Sequence, residues 1–416
     1  MTLRSSRTLF SVLSGALITS CAGGMRDNAS APRITRTDSA GVEIVTTETP
    51  AAEVPVFATL DTVPGLRLGS LSGPEEEQFG SVRDLAVLSD GGVAVLDGQA
   101  VEIRVFGPDG SFRRTVGRKG EGPGELSWPS YMTALAGDSL AVWDSRGGRV
   151  TVFAPDGSLG RVTPVAFDGY GRPFVVSFFA DGSMVGQSRW NAGSFSGGEQ
   201  PAFRLDSAVL VVNTADGALV DTMGVFPGSE TVQSMHRSGD MVTMMMASTR
   251  FGRSLQFAAH PEGVWAGFGD HFELHLHDAA DGHVKRILRA PGLDAPLTDA
   301  EVAEIEAEAM EEAENPDQRQ RAQSVNDLSA RPELRPAYDA LVVDDHGRLW
   351  LRRWEGTTPE TLRWWVFGPD AALLGYVDLP GRFRLEEVRN GQAWGVARDE
   401  LDVSYVVRYR LNPPSS

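Results

Sequence analysis

Three histidines and a glutamate alternate along one short stretch of the chain, a spacing that could place metal ligands side by side. The stretch reads HFELHLHD over residues 271–278. On a strand, alternate side chains point to one face, so His271, Glu273, His275 and His277 would share a face. Neighbouring imidazoles could bind zinc, copper or nickel. Nothing nearby in the sequence would orient them, so a solvated strand face is the favoured interpretation, with His275 and His277 as candidate ligands.

A glycine-rich stretch raises the question of a phosphate-binding loop. It reads TVGRKGEGPGEL over residues 115–126. A phosphate loop needs Gly-x-x-x-x-Gly-Lys-Ser/Thr ahead of a helix. Here Lys119 precedes Gly120, no Ser or Thr follows, and Trp128 with Pro129 opposes a helix start. The sequence also contains no Gly-x-Ser-x-Gly, no His-Glu-x-x-His and no pair of cysteines, so no complete catalytic signature is visible.

Two turn motifs recur along the chain. VFGPDG at 105–110 returns as VFAPDG at 152–157 and VFGPDA at 366–371, and a second motif, first seen as LSDGGVAVLD at 88–97, occurs in six copies. Pro, Asp and Gly suit tight turns between strands, because Pro presets φ and Gly accepts positive φ. Each copy of the unit therefore holds four strands, A to D. The sequence predicts an all-β fold, a six-bladed β-propeller of four-stranded antiparallel blades.

The glycine-rich stretch leads from strand D of the first unit into strand A of the second, so it is predicted to be an inter-blade connector. The last unit, residues 382–411, ends after strand C. A strand from the N-terminal region must then complete that blade and close the ring. The predicted closing strand lies in VPGLRLG at 63–69, with GVEIVTTE at 41–48 packing nearby. The predicted propeller spans 41–412, followed by a short tail at 413–416.

The chain resembles the six-bladed, NHL-like propeller lipoproteins of bacteria. The resemblance rests on a strand, VFGPDG, a second strand and VGRKGEGPGEL, together with DGGVAVLD, and it covers about residues 41–411. It implies a fold more readily than an activity.

One segment interrupts the β pattern and predicts one inserted acidic helix. It spans residues 296–328, with Thr298 and Glu301 forming a capping box and Pro316 following the helix end. Nine acids and no basic residue lie between Asp299 and Asp317. A solvated helix on a loop between blades is the favoured interpretation of residues 298–314. A docking arm for a basic partner, or a lid over one face of the ring, are the alternatives.

The N-terminus has the pattern of a processing signal. Arg4 and Arg7 precede an apolar run at 9–18 that is too short to span a bilayer. LITSC then ends at Cys21, which resembles the lipobox of bacterial lipoproteins. Residues 1–20 are therefore predicted to be a signal peptide and Cys21 the lipidated first residue. A secretory signal with an incidental cysteine, or a free thiol, are the alternatives.

The residues after Cys21 bear on location and partners. By resemblance to lipoprotein sorting, Ala22 in the next position implies the outer membrane, with the protein facing the periplasm or the cell surface. Residues 21–40 are small and polar and fit a flexible tether. The chain carries a net charge of −18, which opposes binding to nucleic acid. A monomer is expected.

Strand A lines the central channel of a propeller, so its first residues gather at one channel mouth. Aligning the units on the A–B turn superimposes six positions, namely Asp84, Tyr131, Val175, Gln256, Asp339 and Arg384. Two carboxylates and an amide could hold Ca²⁺, as the resemblance to six-bladed lactonases and related hydrolases implies. A water-filled polar channel whose charges Arg384 balances is the favoured alternative.

These patterns favour a binding or scaffold module over an enzyme. We expect a lipid-anchored propeller that presents the face carrying the D–A connectors to a protein, peptide or glycan. The expected contacts are Asp84, Tyr131, Gln256, Asp339 and Arg384 at the channel mouth, with Arg118 and Lys119 at the rim. The alternative is a divalent-ion-dependent hydrolase or lyase whose site lies at the channel.

Overall fold

A computed structural model describes most of the chain. The described residues are 32–167, 169–189, 201–238, 241–356 and 359–414. The predicted signal peptide, Cys21 and the first part of the predicted tether lie outside them. Within the described ranges, no helix has the length and apolar character needed to cross a membrane.

The first half of the chain forms a series of strands. The strands before the first blade are β1 (Ile34–Ser39), β2 (Val42–Thr47), β3 (Thr59–Leu60) and β4 (Leu66–Leu68). Blade 1 comprises β5 (Val82–Val87), β6 (Val93–Asp97), β7 (Glu102–Phe106) and β8 (Phe112–Val116). Blade 2 comprises β9 (Pro129–Ala134), β10 (Leu140–Asp144), β11 (Arg149–Phe153) and β12 (Leu159–Pro164). Blade 3 comprises β13 (Val175–Phe178), β14 (Met184–Arg189), β15 (Ala202–Asn213), β16 (Leu219–Ser238) and β17 (Met241–Ser248).

The second half repeats the pattern around one helical insertion. Blade 4 contains β18 (Gln256–His260), β19 (Gly263–Gly267), β20 (Glu273–His277) and β21 (Val284–Arg289). Two helices follow, α1 (Asp299–Glu311) and α2 (Pro316–Leu328). Blade 5 comprises β22 (Tyr338–Val343), β23 (Leu349–Arg353), β24 (Thr361–Phe367) and β25 (Leu373–Pro380). Blade 6 contains β26 (Phe383–Arg389), β27 (Gln392–Arg398) and β28 (Ser404–Asn412).

The six sheets form a closed ring. Each sheet begins with its strand A, and these inner strands are β5, β9, β13, β18, β22 and β26. Each inner strand contacts the inner strand of the next blade, and β26 contacts β5. The predicted six-bladed propeller is therefore confirmed. Blade 3 contains a fifth strand, β17, and blade 4 gains two strands from the N-terminal region.

The hydrophobic cores lie between neighbouring blades. Trp265 of blade 4 and Trp365 of blade 5 belong to one such core, and both are fully buried. Burying a large apolar side chain contributes about 1.5–3 kcal/mol. The predicted Pro-Asp-Gly turns connect strands C and D, and Gly110 and Gly157 both have a φ of 87° there. Ala371 takes the same left-handed conformation, with a φ of 64°.

The ring closes through β4, as predicted. This strand pairs antiparallel with β28, so that Leu68 faces Val406 and Leu66 faces Arg408. Both leucines are buried in the core between blades 6 and 1. The strand thus completes the last blade and covers an edge that would otherwise be unpaired.

The expectation that residues 41–48 pack near this closure is wrong. They form β2, which pairs in parallel with β21 of blade 4. The outer edge of β21 would otherwise be exposed, and the β1–β2 hairpin covers it. Because β1 begins at Ile34, the folded domain also starts before residue 41. We call residues 34–68 the N-terminal strap, since they run from blade 4 past β25, where Phe57 N donates to Tyr376 O at 2.8 Å, to blade 6.

The insertion contains two helices where one was predicted. The capping box of α1 is confirmed, because Glu301 N donates to Thr298 Oγ1 at 3.3 Å and Thr298 N donates to Glu301 Oε2 at 3.0 Å. Asn315 then caps α2 by accepting from Gln318 N at 2.9 Å. Proline is favoured at the first position of a helix, so Pro316 begins α2 as well as following α1.

The helix pair packs against the ring. Val302 and Ile305 of α1 contact Phe251, in the connector from blade 3 to blade 4, and Trp354, which follows strand B of blade 5. The helices therefore cover part of the face that carries the D–A connectors. This packing agrees with the lid alternative better than with a helix solvated on all sides.

Candidate functional site

A pocket of about 740 Å³ opens where the D–A connectors enter the inner strands. It is lined by residues from blades 1, 2, 3 and 6, namely Ser81, Val82, Arg83, Trp128, Ser130, Tyr131, Ser145, Arg172, Pro173, Phe174 and Arg384. Tyr131 and Arg384 were predicted contacts. Among the described residues, the lining contains three arginines and no acidic side chain.

Two buried aspartates hold the connectors that build this pocket. Asp97, at the end of β6, accepts from Gly80 N at 2.9 Å, from Ser81 N at 3.2 Å and from Gln99 N at 2.9 Å. The bond from Gln99 ties the end of strand B to the B–C turn that follows it. The same carboxylate also fixes the connector in front of strand A.

Asp144 does the same in blade 2. It accepts from Ser127 N and Trp128 N, both at 2.9 Å, and from Gly147 N at 3.2 Å. Burial acts to raise the pKa of Asp144, but these hydrogen bonds to the carboxylate outweigh it, so the pKa lies below its usual value. A buried carboxylate therefore positions Trp128 at the pocket.

Two aromatic rings remain accessible beside the arginines. Trp128 is 51% exposed and Phe174 is 44% exposed. The guanidinium of Arg83 lies over the Trp128 ring, 4.7 Å from its centroid. Such a contact holds the cation against a flat surface without neutralising its charge.

Arg384 joins blade 6 to blade 1 at the pocket. Its guanidinium donates to Val82 O at 3.1 Å and to Arg83 O at 3.3 Å. Its Nε lies 2.8 Å from Glu386 Oε1. The arginine therefore bonds to the backbone of blade 1 and to a carboxyl group of its own blade, blade 6.

Asp84 is not free to bind a ligand in the way predicted. Its Oδ1 accepts from Leu85 N at 2.8 Å, and its Oδ2 accepts from Met132 N of the next blade at 2.6 Å. Burial raises its pKa to about 7, although both hydrogen bonds and Arg384 act to lower it. Asp84 thus links two inner strands, and Glu387 makes an equivalent link by accepting from Val87 N at 2.9 Å.

Glu386 is a second carboxyl beside Arg384, and no pattern in the sequence points to it. Burial raises its pKa to about 8, with Arg384 lowering it and Asp84 raising it. Burial also raises the pKa of Tyr131, and the charges of Asp84 and Glu386 add to that effect. A group of protonatable side chains therefore lies behind the pocket wall that Tyr131 and Arg384 form.

The predicted match between Asp84 and Asp339 is wrong by one residue. Counted from the A–B hairpin, the fourth strand pair contains Asp84 in blade 1 and Ala340 in blade 5. Asp339 lies one residue earlier at a bulge, the position of Arg83 in blade 1. Both blades have a bulge at this position, so the difference arises in the A–B turn, where Gly347 is equivalent to Gly91 and not to Gly92.

Asp339 and Gln256 lie outside the pocket lining. Arg352 Nε donates to Asp339 Oδ1 at 2.6 Å, and burial raises the pKa of Asp339 against this interaction. Gln256 Nε2 donates to Ser254 Oγ at 2.9 Å. Each of these two side chains therefore bonds to a residue of its own blade. Both lie on the side of the ring that the helices cover, and neither contacts Asp84.

The described residues contain two clusters whose ligand atoms lie close enough to hold a metal ion. They are Asp278 with Asp281 and His283, and Asp344 with Asp345 and His346. Both lie in turns and include exposed side chains. Neither contains Asp84, Asp339, His275 or His277, so the geometry gives no support to the predicted calcium or histidine sites.

The predicted row of histidines does not form a common open face. His277 is buried against Phe226, with ring centroids 5.4 Å apart, and its Nδ1 bonds to Gly282 O at 2.9 Å. Burial lowers the pKa of His277. His275 Nε2 lies 2.7 Å from Glu273 Oε1. His275 and His277 nevertheless share one side of the strand, as predicted, with ring centroids 6.1 Å apart, because the extra residue at the register shift is Lys285 on β21.

The predicted rim residues lie on the exposed connector between blades 1 and 2. Arg118 pairs with Glu125, with 3.0 Å between its Nη2 and Glu125 Oε1. The side chains of Arg118 and Lys119 are exposed and are not part of the pocket lining.

The residues that line the pocket are only weakly marked in the sequence. Arg83, Trp128, Arg172 and Phe174 all lie at or just before the start of strand A. Trp128 was interpreted only as an obstacle to a helix. Comparing the positions just before strand A in each unit, as well as those within it, would have found this set.

Comparison with known proteins gives structural likeness only. No family model matches the chain, and no curated protein matches it. A Bacteroides fragilis protein described as exported aligns at 13% identity and a TM-score of 0.49, over 89% of this chain and 99% of its own. A duf4221 family member from Bacteroides vulgatus aligns at 10% identity and a TM-score of 0.47, over 85% and 99%. PQQ-bound aldose sugar dehydrogenase of Streptomyces coelicolor aligns at 12% identity and a TM-score of 0.43, over 86% and 100%. At these values the fold assignment rests on this chain's own sheets and their cyclic order.

Proposed function

We propose that this propeller is a ligand-binding module whose pocket at the D–A face takes an anionic ligand. The proposal rests on the pocket lining, where Arg83, Arg172 and Arg384 converge and the described residues include no acidic side chain. The chain as a whole carries a net charge of −18. An arginine-lined pocket in so acidic a protein is a local reversal of charge, and guanidinium groups pair well with carboxylates.

The proposed contacts combine the pocket and part of the predicted set. Arg83, Arg172 and Arg384 would pair with negative groups, while Tyr131 would contact the ligand at the channel mouth. Asp84 would act from behind, by holding Met132 of the neighbouring strand. Arg118 and Lys119 are proposed as rim residues that attract an approaching anion without entering the pocket.

A charge-removal experiment tests the binding site. We expect the full chain to bind citrate, a small tricarboxylate, in isothermal titration calorimetry. Changing Arg83→Gln and Arg172→Gln together should weaken that binding by at least about tenfold, because each loses a charge-assisted hydrogen bond. The control is Arg398→Gln, an exposed arginine that pairs with Asp402 away from the pocket. Equal citrate affinity in the double variant and the parent would contradict the proposal.

We also propose that Cys21 anchors the module to the bacterial outer membrane. The support is the sequence alone, with Arg4, Arg7 and the apolar run ending at a lipobox-like cysteine. Acyl labelling and globomycin-sensitive processing should both depend on Cys21, and Cys21→Ala should abolish them. Recovery of the native protein from the cytoplasm with residues 1–20 intact would overturn this localisation.

A second candidate function is acid–base catalysis by a hydrolase or lyase. The observation in its favour is the pair of carboxyls, Asp84 and Glu386, whose pKa values are raised to about 7 and about 8 near Tyr131. Protonatable groups near neutral pH suit proton transfer to a bound substrate. Mass spectrometry of a ligand incubated with the protein separates the two functions, because only an enzyme changes the mass or linkage of the ligand.

A further inference from the structure

A second pocket, of about 410 Å³, adjoins the first, and Arg172 lines both. Its lining includes two further arginines, Arg146 and Arg149, with Glu121 as the acid. Arg149 is committed to the connector, since it donates to Glu121 O at 3.0 Å and to Glu125 O at 2.8 Å. Arg146 and Arg172 are exposed. We call the two pockets together the arginine groove.

The positive charges of the groove are spread out along it. Arg83 and Arg384 lie in the first pocket, Arg172 lies at the junction, and Arg146 lies in the second pocket. A small anion can form ion pairs with only one or two of these guanidinium groups. A ligand with negative groups repeated along its length matches the whole series, so the groove favours a chain over a single small acid.

The remaining lining suits rings and hydroxyl groups. Trp128 and Phe174 keep about half of their surfaces exposed, at 51% and 44%. Flat aromatic faces pack against the C–H faces of pyranose rings, which a flexible glutamate side chain does not offer. Ser130 Oγ and Ser145 Oγ lie 3.0 Å apart in the same pocket and can exchange hydrogen bonds with ligand hydroxyls.

We infer that the arginine groove binds an acidic oligosaccharide, a chain of sugar rings bearing carboxylate groups such as uronic acids. The carboxylates pair with the exposed arginines, and one ring packs on Trp128. This inference rests on the proposed function, because it names the ligand class of the same site.

Three probes of matched size test the ligand class. In titration calorimetry with the full chain, trigalacturonate should bind at least about tenfold more tightly than neutral maltotriose or the peptide triglutamate. Trp128→Ala should weaken trigalacturonate binding by about three- to tenfold, the range expected for one stacking contact. Citrate affinity is measured on the same variant and should fall less than trigalacturonate affinity, because citrate loses only the support that the Trp128 ring gives to Arg83.

Two further variants keep the test sharp. Trp128→Leu retains apolar volume without a ring and should lose as much trigalacturonate affinity as Trp128→Ala. Phe112→Ala removes another exposed aromatic ring, on β8 away from the groove, and should leave trigalacturonate affinity unchanged. Equal binding of triglutamate and trigalacturonate, or no effect of either Trp128 variant, overturns the inference while citrate binding still supports the proposed function. Failure of every anion to bind overturns both.

Discussion

Leu68→Ala should lower the free energy of unfolding by about 2–5 kcal/mol, the usual cost of removing a large side chain from a core. Leu68 is 3% exposed and lies in β4, the strand that completes blade 6. Its side chain packs in the core that joins the last blade to the first, together with Trp394 and Phe106. Weakening this strand should therefore weaken the closure of the whole ring. Urea denaturation followed by tryptophan fluorescence measures the change.

A matched control lies a few residues away in the same strap. Val63 is 69% exposed, so Val63→Ala should change the free energy of unfolding by less than about 0.5 kcal/mol. If Leu68→Ala and Val63→Ala unfold at the same urea concentration as the parent, β4 does not close the ring in solution.

Glu386 should contribute a stability that is lost as the pH rises from 4 to 8. Its pKa is raised by burial to about 8 in the folded protein, so the folded state holds a proton that the unfolded state releases near its ordinary pKa of 4.5. A state that binds more protons is favoured at low pH, and its advantage is lost as the pH rises through the folded pKa. Asp84, raised to about 7, contributes in the same direction.

Glu386→Gln should remove the part of this pH dependence that comes from the carboxyl of residue 386. We expect the variant to be more stable than the parent at pH 8, by about 1–4 kcal/mol, and nearly equal to it at pH 4. The measurement is the free energy of unfolding in urea at both pH values. The exposed residue Glu400 provides the control, because Glu400→Gln should shift stability equally at both pH values. Parallel profiles for Glu386→Gln and the parent would show that the carboxyl is not buried as described.

The architecture was predictable because local chemistry repeats. Pro-Asp-Gly turns such as the one at 107–110 fix hairpins within a few residues, so strand order and blade number follow from counting. The closing strand was predictable because the last unit has no strand D of its own, and β4 takes that place. The second helix was missed because Asn315 and Pro316 suit the start of a helix as well as its end.

The site was only partly predictable because register and long-range pairing decide it. Asp339 is out of alignment with Asp84 because the A–B turn of blade 1 contains two glycines, and Gly91, not Gly92, is equivalent to Gly347. The parallel pairing of β2 with β21 joins segments far apart in the sequence. The pocket gathers side chains from four blades, so Arg83 and Arg384 become neighbours only when the ring closes.

The N-terminal strap also sets an order of events for a newly made chain. β4 is among the first strands to be synthesised, yet its partner β28 is the last. Strands A to D of blades 1 to 5 can each assemble from consecutive parts of the chain. The pairing of β4 with β28 must wait until β28 has been synthesised. Contacts so distant in sequence form slowly, and open strand edges invite association with other chains in the meantime. A cell that makes this protein therefore has to shield an unclosed ring until β28 has been synthesised.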